Sequence, residues 1–288
     1  MFHRICILAL LVVAPGFAET AYHRDWTAHP AVVERSAPET IFALGDIHGD
    51  YERAVKLLAA AKLVDSADSP HWSGGKATLV VTGDMIDKGP KPVEVIELLK
   101  GLQREAKSQS GEVIVLAGNH EVKWIADKGC AEFLCGLPFA AKVGDWFFSH
   151  GGNTAGRTVL QIEANIEQGV DKDGFGTKAL TAPDSILEAR LGEGKEPWIG
   201  LQNEARLLQD YCKALGVKHI VQGHQHNEVR FSDGAVRKAG QLYNYKGLLF
   251  LIDCGMSREI DDSPGAILRI TGSQQFEAIY PDGTAKRL

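Results

Sequence analysis

The chain has 288 residues, of which 44% are hydrophobic and 24% are charged. This composition is typical of a globular protein and fits one large domain or two small ones. The formal net charge of −6 argues against a nucleic-acid-binding surface, which requires a basic stripe.

Residues 1–18 have the layout of a secretory signal peptide. Arg4 precedes an apolar run from Ile5 to Val13, and small residues follow up to Ala18, after which we expect cleavage. The run is short for a membrane-spanning helix, so stable membrane insertion is not expected, and an uncleaved anchor is the alternative. The sequence therefore predicts a periplasmic or secreted protein.

Export permits disulfide bonds, and the cysteines after residue 18 fall into two kinds. Cys130 and Cys135 flank the tetrapeptide AEFL and form the natural pair. Cys212 lies in a helical pattern and Cys254 ends an apolar run, so both are interpreted as small buried hydrophobic residues. None of the four has the spacing of a zinc finger.

The pattern along the chain changes at Glu39. Residues 19–38 are interpreted as an irregular N-terminal extension, and 39–288 as one catalytic domain, with 151–200 as an elaboration. Apolar runs predict early buried strands at 40–44, 77–81, 112–116, 145–149 and 218–222. Apolar residues at helical spacing predict helices at 51–64, 92–106 and 201–215.

Three further strands are predicted near the C-terminus, at 247–253, 266–270 and 276–280. These strands follow one another too closely to be joined by crossover helices. The sequence therefore predicts an α/β fold with mixed sheets, and not an all-parallel doubly wound sheet.

Each of the five early strands is followed by glycine and by Asp, Asn or His. In chain order these polar residues are Asp46 and His48, Asp84 and Asp87, Asn119 and His120, His150, and His224 and His226. One such cluster is more often a turn than a ligand site. Their recurrence at the same position after five strands predicts a shared site at the carboxyl ends, where ligands bind in α/β sheets.

The types of side chain indicate metal binding. Carboxylate, imidazole and amide donors without thiolates favour Mn, Fe or Zn over calcium. The donors are too many for one tetrahedral ion, whereas two ions bridged by a carboxylate would use them all. Two metals about 3.5–4 Å apart suit in-line displacement at phosphorus.

The motifs GDIHGD, GDMIDKGP, GNHE, HGG and GHQH, in that order, resemble the signature of calcineurin-like metallophosphoesterases. Their residue patterns are most similar to those of the phosphoprotein phosphatase family, especially its bacterial Shewanella-like branch. The segments KVGDWFFSHGG and FLIDCGMS also resemble that branch. The resemblance covers about residues 40–270. It implies a four-layer sandwich in which helices flank two mixed β-sheets.

The resemblance also implies the metal ligands. The first metal would take Asp46, His48 and Asp84, and the second would take Asp84 as the bridge, Asn119, His150 and His224. His226 is a weaker candidate for the first metal, because the wider group uses this histidine and the phosphoprotein phosphatases usually lack it.

The resemblance implies hydrolysis by a hydroxide that bridges the metals. His120 would protonate the leaving oxygen, and Asp87 would orient its imidazole. Lys88 stands where the family has arginine, so it would hold phosphate with looser geometry. Glu121 is interpreted as a brace of the following helix.

A second phosphate-binding arginine of the family is also missing, since Gly200 lies near its expected position. Arg157 and Arg206 are possible substitutes. The predicted substrate is a phosphomonoester, either a phosphorylated protein or a small phosphoester. The alternatives are a hydrolase of dinucleoside polyphosphates or other phosphoanhydrides, and a metal-stabilised binding protein without turnover.

Overall fold

The computed structural model describes residues 24–190, 203–272 and 275–288. The signal peptide predicted at 1–18 and the position of Gly200 lie outside these ranges. Within them, none of the helices has both the length and the hydrophobicity that crossing a bilayer requires.

The strands in chain order are β1 (Val32–Arg35), β2 (Thr40–Leu44), β3 (Thr78–Val81), β4 (Glu112–Val115), β5 (Ala140–Val143), β6 (Trp146–Ser149), β7 (His219–Gln222), β8 (Val229–Arg230), β9 (Val236–Arg237), β10 (Tyr243–Tyr245), β11 (Leu249–Leu251), β12 (Ile267–Thr271), β13 (Gln275–Ile279) and β14 (Ala285–Arg287). The α-helices are α1 (Tyr51–Ala60), α2 (Pro92–Ser108), α3 (Asn119–Lys128), α4 (Glu132–Cys135), α5 (Val159–Asp173), α6 (Lys178–Thr181) and α7 (Glu204–Leu215).

Two six-stranded sheets form the centre of the fold. The first has the order β1-β5-β6-β7-β11-β10, and the second has the order β14-β13-β12-β2-β3-β4. Strands β2, β3 and β4 are parallel, as are β6, β7 and β11, whereas β12 runs antiparallel to β2 and to β13. The predicted mixed sheets are therefore confirmed, and all eight predicted strands overlap observed ones.

Strand β2 shows how the two sheets and their helices pack. Ile41 and Ala43 belong to a cluster that includes residues of both sheets, such as Phe148. Phe42 and Leu44 point the other way and join a second cluster, which contains the buried hydrophobic residues of α1, α2, α5 and α7. Because both faces of β2 are buried, its sequence is a continuous apolar run.

The prediction that residues 19–38 are irregular is wrong for Val32–Arg35. These residues form β1, which pairs with β5 in parallel and is the last strand of its sheet within the described residues. Only Val32 and Val33 are apolar and buried in this strand, which is too weak a pattern to predict it. Arg24 anchors the segment, because its buried guanidinium donates to the carbonyls of Cys135 (2.7 Å) and Leu137 (2.9 Å).

Helix α1 ends four residues earlier than predicted. Lys62 has a positive φ of 59°, and the Leu63 amide donates to the Leu58 carbonyl at 2.9 Å, which closes the helix.

The cysteine predictions are confirmed. A disulfide joins Cys130 to Cys135, while Cys212 and Cys254 are buried thiols.

Candidate metal centre

The loops that follow β2, β3 and β7 contact one another at one edge of the sandwich. Asp46, after β2, accepts the backbone N–H of His224, after β7, at 3.1 Å. The carbonyl of Asp84, after β3, accepts the amides of Ile47 (3.0 Å) and His48 (2.8 Å). Residues far apart in the sequence, and on different sheets, therefore lie together.

Two groups of side chains in this region could each hold a metal ion. One contains His48, Asp84 and His120, and the other contains Asp84, His150 and His224; within each group the ligand atoms lie within 4.8 Å of one another. Asn119 extends the second group, since its Oδ1 is 3.1 Å from His150 Nε2. Asp84 is common to both groups, as expected of a bridging ligand.

Asp46 lies beside the first group, with Oδ2 3.9 Å from His48 Nε2. His226 differs from the other predicted ligands. The two groups found among the described residues do not include it, and its Nδ1 hydrogen-bonds the carboxylate of Asp261 instead. Its role as a ligand stays a prediction without geometric support.

Backbone carbonyls orient two of the imidazoles. His150 Nδ1 donates to the Thr82 carbonyl at 2.9 Å, so Nε2 faces Asp84 Oδ2 at 3.3 Å. His48 Nδ1 lies 3.4 Å from the Ile86 carbonyl, and its Nε2 faces Asp84 Oδ2 at 3.7 Å. This arrangement is typical of metal-binding histidines, which give their other N–H to a carbonyl or carboxylate.

The centre concentrates buried charge. Burial, together with the nearby Asp253, raises the pKa of Asp46 well above its usual range. Burial opposes ionisation of Asp84 as well, but His150 and the other imidazoles lower its pKa. Burial likewise disfavours charge on His150, yet Asp84 and Asp46 raise its pKa to about 10. Divalent cations would compensate these carboxylates, so the residues present fit a metal centre.

Glycines give the carboxylates room. A Cβ at Gly118 would lie 2.1 Å from Asp84 Oδ1, and a Cβ at Gly223 would lie 2.4 Å from Asp46 Oδ1. The glycines of the motifs GNHE and GHQH are therefore required by close approach of the ligands.

Several site residues have a strained backbone. His48 (φ 48°), Asp84 (φ 50°) and His224 (φ 64°) occupy the left-handed region, and so do Asp87 and Lys88. Such conformations are unfavourable for residues other than glycine, and they concentrate at functional sites.

His120 and Asp87, predicted to act as a pair, are in direct contact. His120 Nδ1 donates to Asp87 Oδ2 at 2.7 Å, and its Nε2 is 3.8 Å from Asp84 Oδ2. A hydrogen bond from the Lys88 amide and another from His120 lower the pKa of Asp87. The Lys88 ammonium is about half exposed and 4.0 Å from the Asp87 carboxylate.

Glu121 braces more than its own helix. Its buried carboxylate accepts the amides of Gly118, Asp84, Met85 and Ile86 at 2.7–3.1 Å, so it joins the start of α3 to the loop after β3. Burial and the charge of Asp84 raise its pKa to about 7, against the pull of the amide donors. The predicted bracing role is confirmed and extends to a second loop.

Arg157 and Arg206 were the possible substitutes for the missing arginines. Among the described residues, no observed contact joins either of them to the ligand groups. Arg157 pairs with Asp184 at 3.0 Å, and Arg206 is exposed on α7. The structure brings Arg190 to the centre instead, where its Nε donates to His224 Nε2 at 2.8 Å. No local motif marks Arg190, so only the fold identifies it.

Two other residues near the centre escaped the sequence analysis. Asp253 is buried beside Asp46, and its position directly after an apolar strand was the available signal. Arg237 is fully buried and donates to the carbonyls of Gln225, Asn227 and Asp253, so it ties the loop after β7 to the loop after β11.

A sequence profile identifies the family of this chain. The sequence profile described as calcineurin-like phosphoesterase matches residues 39–228, which is more than half of the chain and includes all the candidate ligands described above. The chain belongs to the calcineurin-like phosphoesterase family. These phosphoesterases use two divalent metal ions, in agreement with the two ligand groups that share Asp84.

Relatives of this chain include two Shewanella-like protein phosphatases. It is 35% identical to phosphatase 2 of Arabidopsis thaliana over 103 residues, which are 33% of this chain and 26% of that protein. It is 27% identical to phosphatase 1 of Plasmodium berghei over 258 residues, which cover 75% of this chain and 67% of that protein. The match thus spans about a quarter of the first of these relatives.

Among solved structures, the cold-active protein-tyrosine phosphatase of a psychrophilic Shewanella species is similar to this phosphoesterase, with a TM-score of 0.66 and 21% identity. The superposition covers 88% of this chain and 82% of the other. At this level of identity the similarity establishes the fold, which is the predicted sandwich of two mixed sheets flanked by helices.

Proposed function

We propose that this phosphoesterase hydrolyses phosphomonoesters at a centre of two divalent cations. The observation that carries the proposal is the pair of ligand groups joined by Asp84, one of which includes His120 in contact with Asp87. The ligands would be Asp46, His48 and Asp84 for one cation, and Asp84, Asn119, His150 and His224 for the other. The donor set suits Mn, Fe or Zn.

Two divalent cations, when bound, hold the phosphate oxygens and lower the pKa of a water molecule. His120 acts as the general acid of the chain. Its Nδ1–H donates to Asp87, so the second proton of the charged imidazole is on Nε2, on the side of Asp84. The Asp87 carboxylate fixes the orientation of the ring, so that a protonated imidazole can give its Nε2 proton to the leaving oxygen.

Lys88 and Arg190 supply positive charge for the phosphate. Lys88 is a flexible point charge next to Asp87, while Arg190 offers a planar fork beside His224. His224 Nδ1 lies 3.0 Å from His150 Nε2 and so faces the ligand group. If a cation bound Nδ1, the His224 proton would be on Nε2, which could then no longer accept a hydrogen bond from Arg190. We therefore expect the guanidinium to turn toward bound phosphate.

Export is part of the proposal and depends on residues 1–18. The disulfide between Cys130 and Cys135 supports it, because such bonds persist in oxidising compartments. A periplasmic or secreted enzyme would meet phosphorylated proteins or small phosphoesters outside the cytosol.

Hydrolysis of a chromogenic aryl phosphate by the purified protein, with Mn²⁺, Fe²⁺ or Zn²⁺ added, tests the proposal. We expect metal-dependent turnover that falls about 10²–10⁴-fold in His120→Ala, because the general acid is lost. The metal content should be retained, since Asp46, His48 and Asp84 remain as the proposed ligands of that cation. His71→Ala is the matched control, since His71 is exposed and pairs with Glu105 at the surface.

Two bound metal ions without turnover of any ester would contradict the proposal and favour a binding protein. Faster cleavage of diadenosine tetraphosphate than of phosphomonoesters would favour the phosphoanhydride alternative.

A further inference from the structure

A large groove begins at the proposed reaction centre and continues between α2 and α3. Its volume is about 1250 Å³. Asp87, Lys88 and His120 form its near end, and Phe133 in α4 contributes to its lining. The groove is therefore continuous with the groups that would act on the phosphate.

The groove contains exposed apolar side chains. Among the described residues, the large hydrophobic side chains that are exposed are Val93 (65%), Trp124 (39%) and Leu160 (75%). Val93 on α2 and Trp124 on α3 both line the groove, and Leu160 on α5 does not. Exposed apolar side chains that line the same groove commonly mark an interaction site, whereas isolated ones such as Leu160 need no explanation.

We propose that this groove binds the polypeptide segment that flanks the phosphorylated residue of a protein substrate, with apolar side chains against Val93 and Trp124. This inference rests on the proposed function and narrows its substrate class.

The size of the groove argues for a peptide. Pockets for small molecules are about 300–1,000 Å³, and this groove is larger. Helix α3 lines it from His120 to Lys128, a distance of about 12 Å at 1.5 Å per residue. An extended peptide advances about 3.3 Å per residue, so about four residues would lie along the helix. A small phosphoester would contact only the end near His120.

The disulfide holds part of the wall. Phe133 lies between Cys130 and Cys135, which are joined, so the bond restrains the short segment that presents this ring to the groove. A restrained wall loses less conformational entropy of its own when a peptide binds.

Two matched phosphopeptides test the inference. Both have nine residues and the same central phosphorylated residue, either phosphoserine or phosphotyrosine. One peptide has leucine at alternate flanking positions, and the other has serine at those positions. We expect wild-type protein to favour the leucine peptide over the serine peptide by about tenfold in kcat/KM. In V93S/W124S this preference should fall to about one, whereas L160S should keep it.

A preference that survives in V93S/W124S, or that L160S loses equally, would overturn the inference. A dimer of wild-type protein that V93S/W124S converts to a monomer in sedimentation would also overturn it, because a second copy would then occupy the groove.

Calorimetric binding separates this test from the test of the proposed function. His120→Ala protein should bind the leucine phosphopeptide about ten times more tightly than the serine phosphopeptide, and this measurement needs no turnover. Equal affinities would overturn the groove assignment even if aryl phosphate is hydrolysed, whereas absent hydrolysis with unequal affinities would contradict only the proposed function.

Discussion

Asp84 has more roles than any other residue of the centre. Its carboxylate belongs to both ligand groups, its carbonyl accepts two amides of the loop after β2, and its own amide donates to Glu121. Its positive φ allows these roles together. The cost of that conformation, of order 1–3 kcal/mol, is offset by the surrounding hydrogen bonds.

Arg190 provides the prediction at the scale of single residues. We expect Arg190→Gln to weaken inhibition by inorganic phosphate about 10–100-fold, because a charge-assisted hydrogen bond contributes about 1.5–3 kcal/mol. The inhibition constant and the metal content of the loaded protein are the measurements. Arg157→Gln is the control, since Arg157 pairs with Asp184. An unchanged inhibition constant in Arg190→Gln would remove Arg190 from the phosphate site.

At the scale of elements, Asp50 connects α1 to the loop after β11. Its carboxylate accepts the Arg53 amide at the start of α1 and two donors of the Arg258 side chain at 2.6 and 2.8 Å. Burial would raise the pKa of Asp50, but the hydrogen bonds from Arg258 lower it below its usual value of 3.8. Asp50 is therefore structural, although it shares the motif GDIHGD with two proposed ligands.

Arg258→Gln should lower the free energy of unfolding at pH 7, because the buried carboxylate of Asp50 loses charged donors. Since the folded pKa of Asp50 is depressed, this stabilisation is present above pH 3.8 and is lost as the pH falls through the folded pKa. Urea unfolding with a chelator present measures it. Arg230→Gln, which removes an exposed pair with Glu228, should cost less than about 1 kcal/mol.

A difference between Arg258→Gln and wild type that persists unchanged below the folded pKa would contradict this account of Asp50. No difference at pH 7 would contradict it equally.

Strand positions could be predicted from the sequence because the central strands are buried on both faces and read as continuous apolar runs. Helix ends were less predictable, since α1 closes through the backbone of Lys62 and Leu63. The loops that carry Asp46, Asp84 and His224 could be recognised because glycine and ligand residues recur after each strand.

The remaining features depend on contacts between distant parts of the chain. Arg190 reaches His224 across 34 positions, and Arg237 binds carbonyls of two loops, so neither leaves a local pattern. Strand β1 has two apolar residues and owes its place to pairing with β5 and to the anchor at Arg24.

At the scale of the whole molecule, the sandwich brings ligands from two sheets to one edge. Asp46, Asp84 and Asn119 follow strands of one sheet, while His150 and His224 follow strands of the other. The sheets are held together by a shared apolar cluster, so the metal centre depends on the packing between them. A phosphate at this edge would contact residues from both halves of the fold.

The metal content of the purified, metal-reconstituted protein tests the central claim most directly. We predict about two divalent ions per chain in wild type, as two-metal hydrolysis requires. Asp84→Asn should lose both, because Asp84 is common to the two ligand groups, whereas Asp68→Asn, at an exposed position, should retain them. Wild-type protein that binds no ions, or Asp84→Asn protein that keeps two, would contradict the account.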